Sequence, residues 1–82
     1  KSFLKELQKL KNNALKESIV NCILQVESVK KLSQIKNLKK LLGYDNYYRI
    51  RLGDYRIGIK IENDIVYFVT FEHRKDIYKS FP

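Results

Sequence analysis

From Tyr47 onward the chain alternates apolar and polar positions. Before that point its apolar residues recur every three or four places. The two periods predict helices first and strands afterwards. Phe3, Leu4, Leu7 and Leu10 form one stripe with lysines opposite, which predicts a helix over 2–12 with Ser2 as its cap. Asn12-Asn13 interrupts the stripe. Asn13 is placed to cap a second helix over 14–31, carried by Leu15, Ile19, Cys22, Ile23, Val26 and Val29. Two amphipathic helices joined by so short a break form a helical hairpin. Leu32, Ile35, Leu38 and Leu41 keep a three-residue spacing that allows a further short helix, before Gly43, Asp45 and Asn46 mark a loop.

Strands are expected over 47–52, 54–62 and 64–72, with Gly53-Asp54 and Asn63-Asp64 as hairpin turns. Residues 65–71 are apolar on both faces, as in a strand near the centre of a sheet. A short final strand is expected over 76–79. The fold class is therefore α+β, an N-terminal helical hairpin packed on one face of a twisted antiparallel sheet. Alternation also sorts the side chains. With Tyr48, Ile50, Leu52, Ile57, Ile59 and Ile61 facing a core, Arg49, Arg51, Arg56 and Lys60 emerge together on the opposite face. Guanidinium groups gathered on one surface suit phosphate.

Charge strengthens that picture. The 82 residues, one small domain spanning 1–82, carry 17 basic and 9 acidic side chains, a formal net charge of +8. Such an excess favours an anionic partner: nucleic acid, an acidic protein segment or a membrane surface. Lysines dominate the first half, and all the arginines (Arg49, Arg51, Arg56, Arg74) lie in the second. No apolar run approaches the roughly 18 residues of a membrane span, and no signal core opens the sequence. The lone cysteine, Cys22, has no partner for an internal disulfide; it reads as core packing in a reducing cytoplasm.

Several chemistries lack their residues. Asp54 and Asp64 fall in turns, where aspartate is ordinary. One histidine and one cysteine make no zinc site, and the three glycines make no phosphate-cradling loop. Neither a metal nor a cofactor is expected. Cationic and acid–base groups remain. RNA carries its own nucleophile, the 2′-hydroxyl, so an enzyme need only orient it, take its proton, stabilise charge on phosphorus and protonate the leaving oxygen. DNA lacks that hydroxyl, so the inventory favours a ribonuclease over a deoxyribonuclease.

Leu38-Lys39-Lys40-Leu41, then YYRIRLGDYRIGIKI, then EHRKDIY, in that order behind a helical hairpin, resemble the RelE/ParE superfamily of bacterial and archaeal toxins over nearly the whole chain. The resemblance implies the toxin of a type II toxin–antitoxin pair, a metal-independent endoribonuclease that cleaves mRNA in the ribosomal A site and stops translation. A ParE-like poison of DNA gyrase, which is not an enzyme, shares the fold and much of the hairpin sequence. An inactive relative or plain RNA-binding module is a third reading. Under the first, Arg56 matches a phosphate-stabilising position, Arg74 clamps the same phosphate, Tyr78 stacks on a base or moves a proton, and His73 is suited to proton transfer near neutrality.

Arg49, Arg51 and Lys60 are candidate RNA or ribosome contacts, against the plainer reading of an exposed strand. Lys39 and Lys40 are candidates for ribosomal RNA, where a solvated lysine face is the simpler account. Tyr44 and Tyr47 read better as core-edge aromatics than as base-stacking platforms. The implied partners are a cognate antitoxin on a separate chain, mRNA and the ribosome. No membrane is implied, and no DNA except through the antitoxin complex. Two departures stand out. Family members begin with a strand before the first helix, whereas this chain opens almost at the helix; the expectation is that the sequence lacks its true start or that this edge strand is absent. Glu72 stands where relatives carry glycine, and its acid is expected to pair with His73 or Arg74 and dampen activity.

Overall fold

Asn12, rather than Asn13, begins the longest helix. Its side-chain oxygen accepts the Leu15 N–H at 3.1 Å, satisfying a donor that the first helical turn leaves open. The computed structural model describes residues 3–82, so the Ser2 cap lies outside the described residues. Helix α1 spans Phe3–Lys9 and α2 spans Asn13–Ser28, each shorter than the sequence pattern allows. On α2, Ile19, Cys22 and Val26 are buried at three- and four-residue spacing, the stripe expected of an amphipathic helix. Burial pushes the Cys22 thiol pKa up. A single 3₁₀ turn follows at Leu32–Gln34. There the Gln34 side-chain oxygen accepts the Lys30 and Lys31 N–H groups at 2.9 and 3.2 Å. Asn12→Ala is expected to cost about 1 kcal/mol in a urea titration, because no other side chain supplies that cap.

The chain divides into two compact units, one ending at Lys36 and one spanning Asn37–Pro82. The second is a meander of four strands, β1 (Leu38–Lys40), β2 (Tyr47–Leu52), β3 (Tyr55–Glu62) and β4 (Ile65–His73), each antiparallel to the next and ordered β1-β2-β3-β4. Helices followed by an antiparallel sheet make the class α+β, as the two periods required.

Both predicted hairpin turns form. Gly53, at φ 60°, takes the first central place of the β2–β3 turn. Asn63 and Asp64, at φ 50° and 66°, fill both places of the β3–β4 turn, a left-handed pair whose twist matches that of the strands.

Three expectations are corrected. The helix allowed by the leucine spacing is confined to the 3₁₀ turn at Leu32–Gln34 and then gives way to β1, because Asn37 at φ 63° turns the chain out of helical geometry. Residues 76–79 are not a strand: Ile77–Ser80 form a helical turn, α3, closed by the Phe81 N–H on the Ile77 carbonyl at 2.9 Å. The apolar β4 is not central; β2 and β3 are the interior strands, and β4 is outermost among the described residues, with Ile65, Tyr67 and Val69 exposed.

Candidate functional site

Strand pairing decides which side chains share a face, because residues directly opposite in an antiparallel pair project the same way. Between β2 and β3, Tyr48, Ile50 and Leu52 lie opposite Ile59, Ile57 and Tyr55. Ile50, Ile57 and Ile59 are buried. The alternate positions put Tyr47, Arg49 and Arg51 opposite Lys60, Gly58 and Arg56. Lys39 joins them from β1, opposite Arg49. The expected cationic face therefore exists, and Arg51 stands directly across from Arg56. Like charges so placed oppose folding, and an arriving anion relieves them.

These residues line one groove of ≈ 450 Å³: Lys39, Arg49, Arg51 and Arg56, with Asn37, Leu38 and Tyr78. No carboxylate is among them. Arg56 is held firmly. Its Nη1 donates to the Gly53 carbonyl at 2.8 Å and to the Tyr55 carbonyl at 2.9 Å. A guanidinium has five N–H groups, so a fork fixed through Nη1 keeps Nε and Nη2 for a ligand. Above Arg49 lies the Tyr78 ring, its centroid 4.7 Å from the guanidinium carbon, a cation–π distance. Hydrogen bonding by Arg49 is the largest cause holding the Tyr78 phenol below its ordinary value of 10.0; the charges of Arg49, Arg56 and Lys39 act the same way.

The sign follows from the charged form. Cations favour tyrosinate, so folded Tyr78 loses its proton at lower pH than the unfolded chain does. Any stability it adds is present above the unfolded value and is lost as pH falls through the folded one. Arg49→Gln is expected to move the Tyr78 titration upward toward 10.0. Absorbance at tyrosinate wavelengths, differenced against Tyr78→Phe, reads that shift.

Other expected residues fall elsewhere. His73 pairs with Tyr55, on the face of the buried isoleucines and opposite that of Arg56. Its ring centroid is 5.6 Å from that of Tyr55, and its Nδ1 accepts the Lys75 N–H at 3.2 Å. Arg74 follows the end of β4, where its N–H donates to the Asp54 carbonyl at 2.8 Å, and it does not line the groove. Lys40 lies opposite Tyr48, on the other face from Lys39, and lines a separate hollow with Leu41–Asp45. Lys60 shares the face of Arg56 but is engaged with Glu62 at 3.3 Å and lies 5.7 Å from the Tyr47 ring. Tyr47 and Tyr44 contact each other edge to face, with centroids 6.0 Å apart.

Glu72 is corrected too. It sits opposite Arg56, and its carboxylate accepts from the Ser80 hydroxyl and, at 3.5 Å, from Thr70, where pairing with His73 or Arg74 was expected. Asn37 and Leu38 were not anticipated, since nothing in their local pattern marks a site. Among the described residues no group of three histidine, cysteine, aspartate or glutamate side chains comes together to hold a metal, and no helix is long and apolar enough to cross a membrane.

Comparison with known proteins adds a family. Residues 1–78 match the model for the ParE toxin of the type II toxin–antitoxin system, parDE. The toxin RelE3 of Methanocaldococcus jannaschii is 40% identical, an alignment that covers all of this chain and 93% of that protein. A crystal structure of a RelB–RelE antitoxin–toxin complex from Methanococcus jannaschii superposes with a TM-score of 0.78 at 38% identity, covering 100% of this chain and 95% of the matched one.

Proposed function

The chain belongs to the ParE toxin family of type II toxin–antitoxin systems, within the RelE/ParE superfamily, and from that premise we propose that it is a metal-independent endoribonuclease cleaving mRNA at the ribosome. The observation that carries this reading is the groove. Three arginines and a lysine converge there with a tyrosine whose phenol is drawn toward ionisation.

Cleavage needs little more. A phosphate in the groove meets Arg56, already oriented by the turn carbonyls, with Arg49 and Arg51 beside it. The 2′-oxygen bonds to phosphorus as the bond to the 5′-oxygen breaks, leaving a cyclic phosphate. The tyrosinate form of Tyr78, which the neighbouring cations favour, takes the 2′-hydroxyl proton. Lys39 protonates the departing 5′-oxygen. The arginines hold the additional negative charge of the transition state, where fixed cations act most strongly. His73, on the other face, takes no part. The site of action is the cytoplasm, where translated message is found.

The partner is a separate antitoxin chain, the arrangement in the matched RelB–RelE complex. An acidic or amphipathic segment laid over the groove would neutralise it and exclude RNA. Arg49, Arg51 and Lys39 would also meet the RNA backbone, whereas Lys40, Lys60 and Arg74 remain candidates for outlying ribosomal contacts.

The placement of His73 favours a second reading, since it removes the imidazole from the cationic cluster. That reading is a ParE-like toxin that poisons DNA gyrase through a protein-binding surface without chemistry. One pair of assays separates the two. Primer extension on ribosome-bound transcripts is expected to show new 5′ ends after addition of the purified protein. Intact message together with trapped gyrase–DNA complexes would establish the poison instead.

A further inference from the structure

Tyr78 is 73% exposed on a helix of only four residues, too short to hold its own shape in water. Something else must keep its ring over Arg49. Ile77 and Phe81, four residues apart on one side of the turn, are 1% and 7% exposed. The Phe81 ring lies on the cationic face directly over Gly58. A β-carbon at Gly58 would fall 2.8 Å from the Cδ1, Cε1 and Cζ atoms of that ring, so the ring occupies the space a side chain would fill. Phe81 also meets Tyr47 edge to face, with centroids 5.5 Å apart at 80°, a favourable aromatic geometry. One residue earlier, Ser80 donates its hydroxyl to Glu72 on β4.

We infer that Phe81 is the positioning residue for Tyr78: seated over Gly58, it clamps α3 to the sheet and so holds the Tyr78 ring above Arg49. Glu72 is the second anchor, through Ser80. Gly58, one of three glycines in the chain, leaves the seat empty of any side chain. Arg49 lies opposite Gly58 in the β2–β3 pairing. The seat and the cation beneath Tyr78 are therefore cross-strand neighbours, and a shift at one is felt at the other. Glu72 thus serves to fix α3, where pairing with the neighbouring cations would have weakened the site. The catalytic meaning of this clamp rests on the ribonuclease reading; the clamp itself does not.

The test uses the whole protein and three variants, Phe81→Ala, Gly58→Ala and Phe81→Leu. The Tyr78 titration, together with nuclear Overhauser contacts from the Tyr78 ring to the Arg49 side chain, reports position independently of activity. Phe81→Ala and Gly58→Ala are expected to raise the Tyr78 pKa toward 10.0 and to erase those contacts. Phe81→Leu, which keeps an apolar filler, is expected to restore most of both. RNA cleavage is expected to fall about a hundredfold in kcat with little change in KM, the scale of a misplaced reacting group.

A folded Phe81→Ala protein with unchanged Tyr78 titration and contacts would overturn the inference. So would the absence, in the unaltered protein, of contacts between the Phe81 ring and the Gly58 α-protons; that measurement decides the matter even where a variant does not fold. A Tyr78 that moves as expected in a protein whose parent cleaves no RNA would uphold the clamp and remove only the ribonuclease reading.

Discussion

Arg56→Ala is expected to abolish growth arrest on induction and to lower RNA cleavage by about a hundred- to a thousandfold, the usual effect of removing one fixed stabiliser of developing charge. Two features single out Arg56 among the groove cations. Its guanidinium is tied to the Gly53 and Tyr55 carbonyls, so it meets the phosphate already oriented. Arg49, by contrast, has the Tyr78 ring over its guanidinium, and Arg51 is exposed. Loss of the side chain also removes two hydrogen bonds, each contributing about 1 kcal/mol. The direct repulsion by Arg51 disappears with it, which offsets part of that loss. The far-ultraviolet circular dichroism spectrum is therefore expected to be unchanged. Undiminished cleavage by the variant would remove Arg56 from the chemistry.

The largest effect on stability is expected from Ile57→Ala. Ile57 is 0% exposed on β3, an interior strand, between Ile50 of β2 and Phe71 of β4. Truncation removes its buried methyl and methylene groups and leaves a hole that strands locked in a ladder cannot close. The cost is about 3 kcal/mol, within the range for isoleucine truncations. For a domain of this size that lowers the melting temperature by roughly 12–24 °C. Ile65→Ala, on the outermost strand where the side chain is 53% exposed, is expected to change stability by no more than about 0.5 kcal/mol. Calorimetry on the two variants measures the contrast; equal losses would mean that burial does not set the cost.

Much of this was legible in the sequence, and the exceptions share a cause. The two hairpin turns carried glycine or a polar pair at the positions that need left-handed backbone. The period of two then placed Arg49, Arg51 and Arg56 on one face without knowledge of the tertiary fold. Short elements were not legible. Leu38–Lys40 is too brief to display alternation, and its leucine continued a helical spacing until Asn37 broke the backbone. Four residues at Ile77–Ser80 fit either period, and only the burial of Ile77 and Phe81 together distinguishes them.

His73 lies away from the groove for a more specific reason. Counting alternation from Ile65, which lies opposite Glu62 on the cationic side, would bring His73 out beside Arg56. The register shifts between Gly58 and Ile59, where Thr70 and Phe68 are their partners and Val69 is the extra residue. One added residue inverts every later position. Glu72 takes the cationic face and His73 turns away. No local residue type announces a bulge of this kind.

The tether on Arg56 has a thermodynamic corollary. A free arginine side chain loses about 2 kcal/mol of rotational freedom when immobilised; here much of that loss is incurred as the hairpin closes, before any ligand arrives. Encounter with an anion then requires little further ordering. A lysine at this position would retain the charge but lack the planar fork needed to grip two carbonyls and a ligand together. It would have to be ordered afresh at each encounter, so its grip would be weaker.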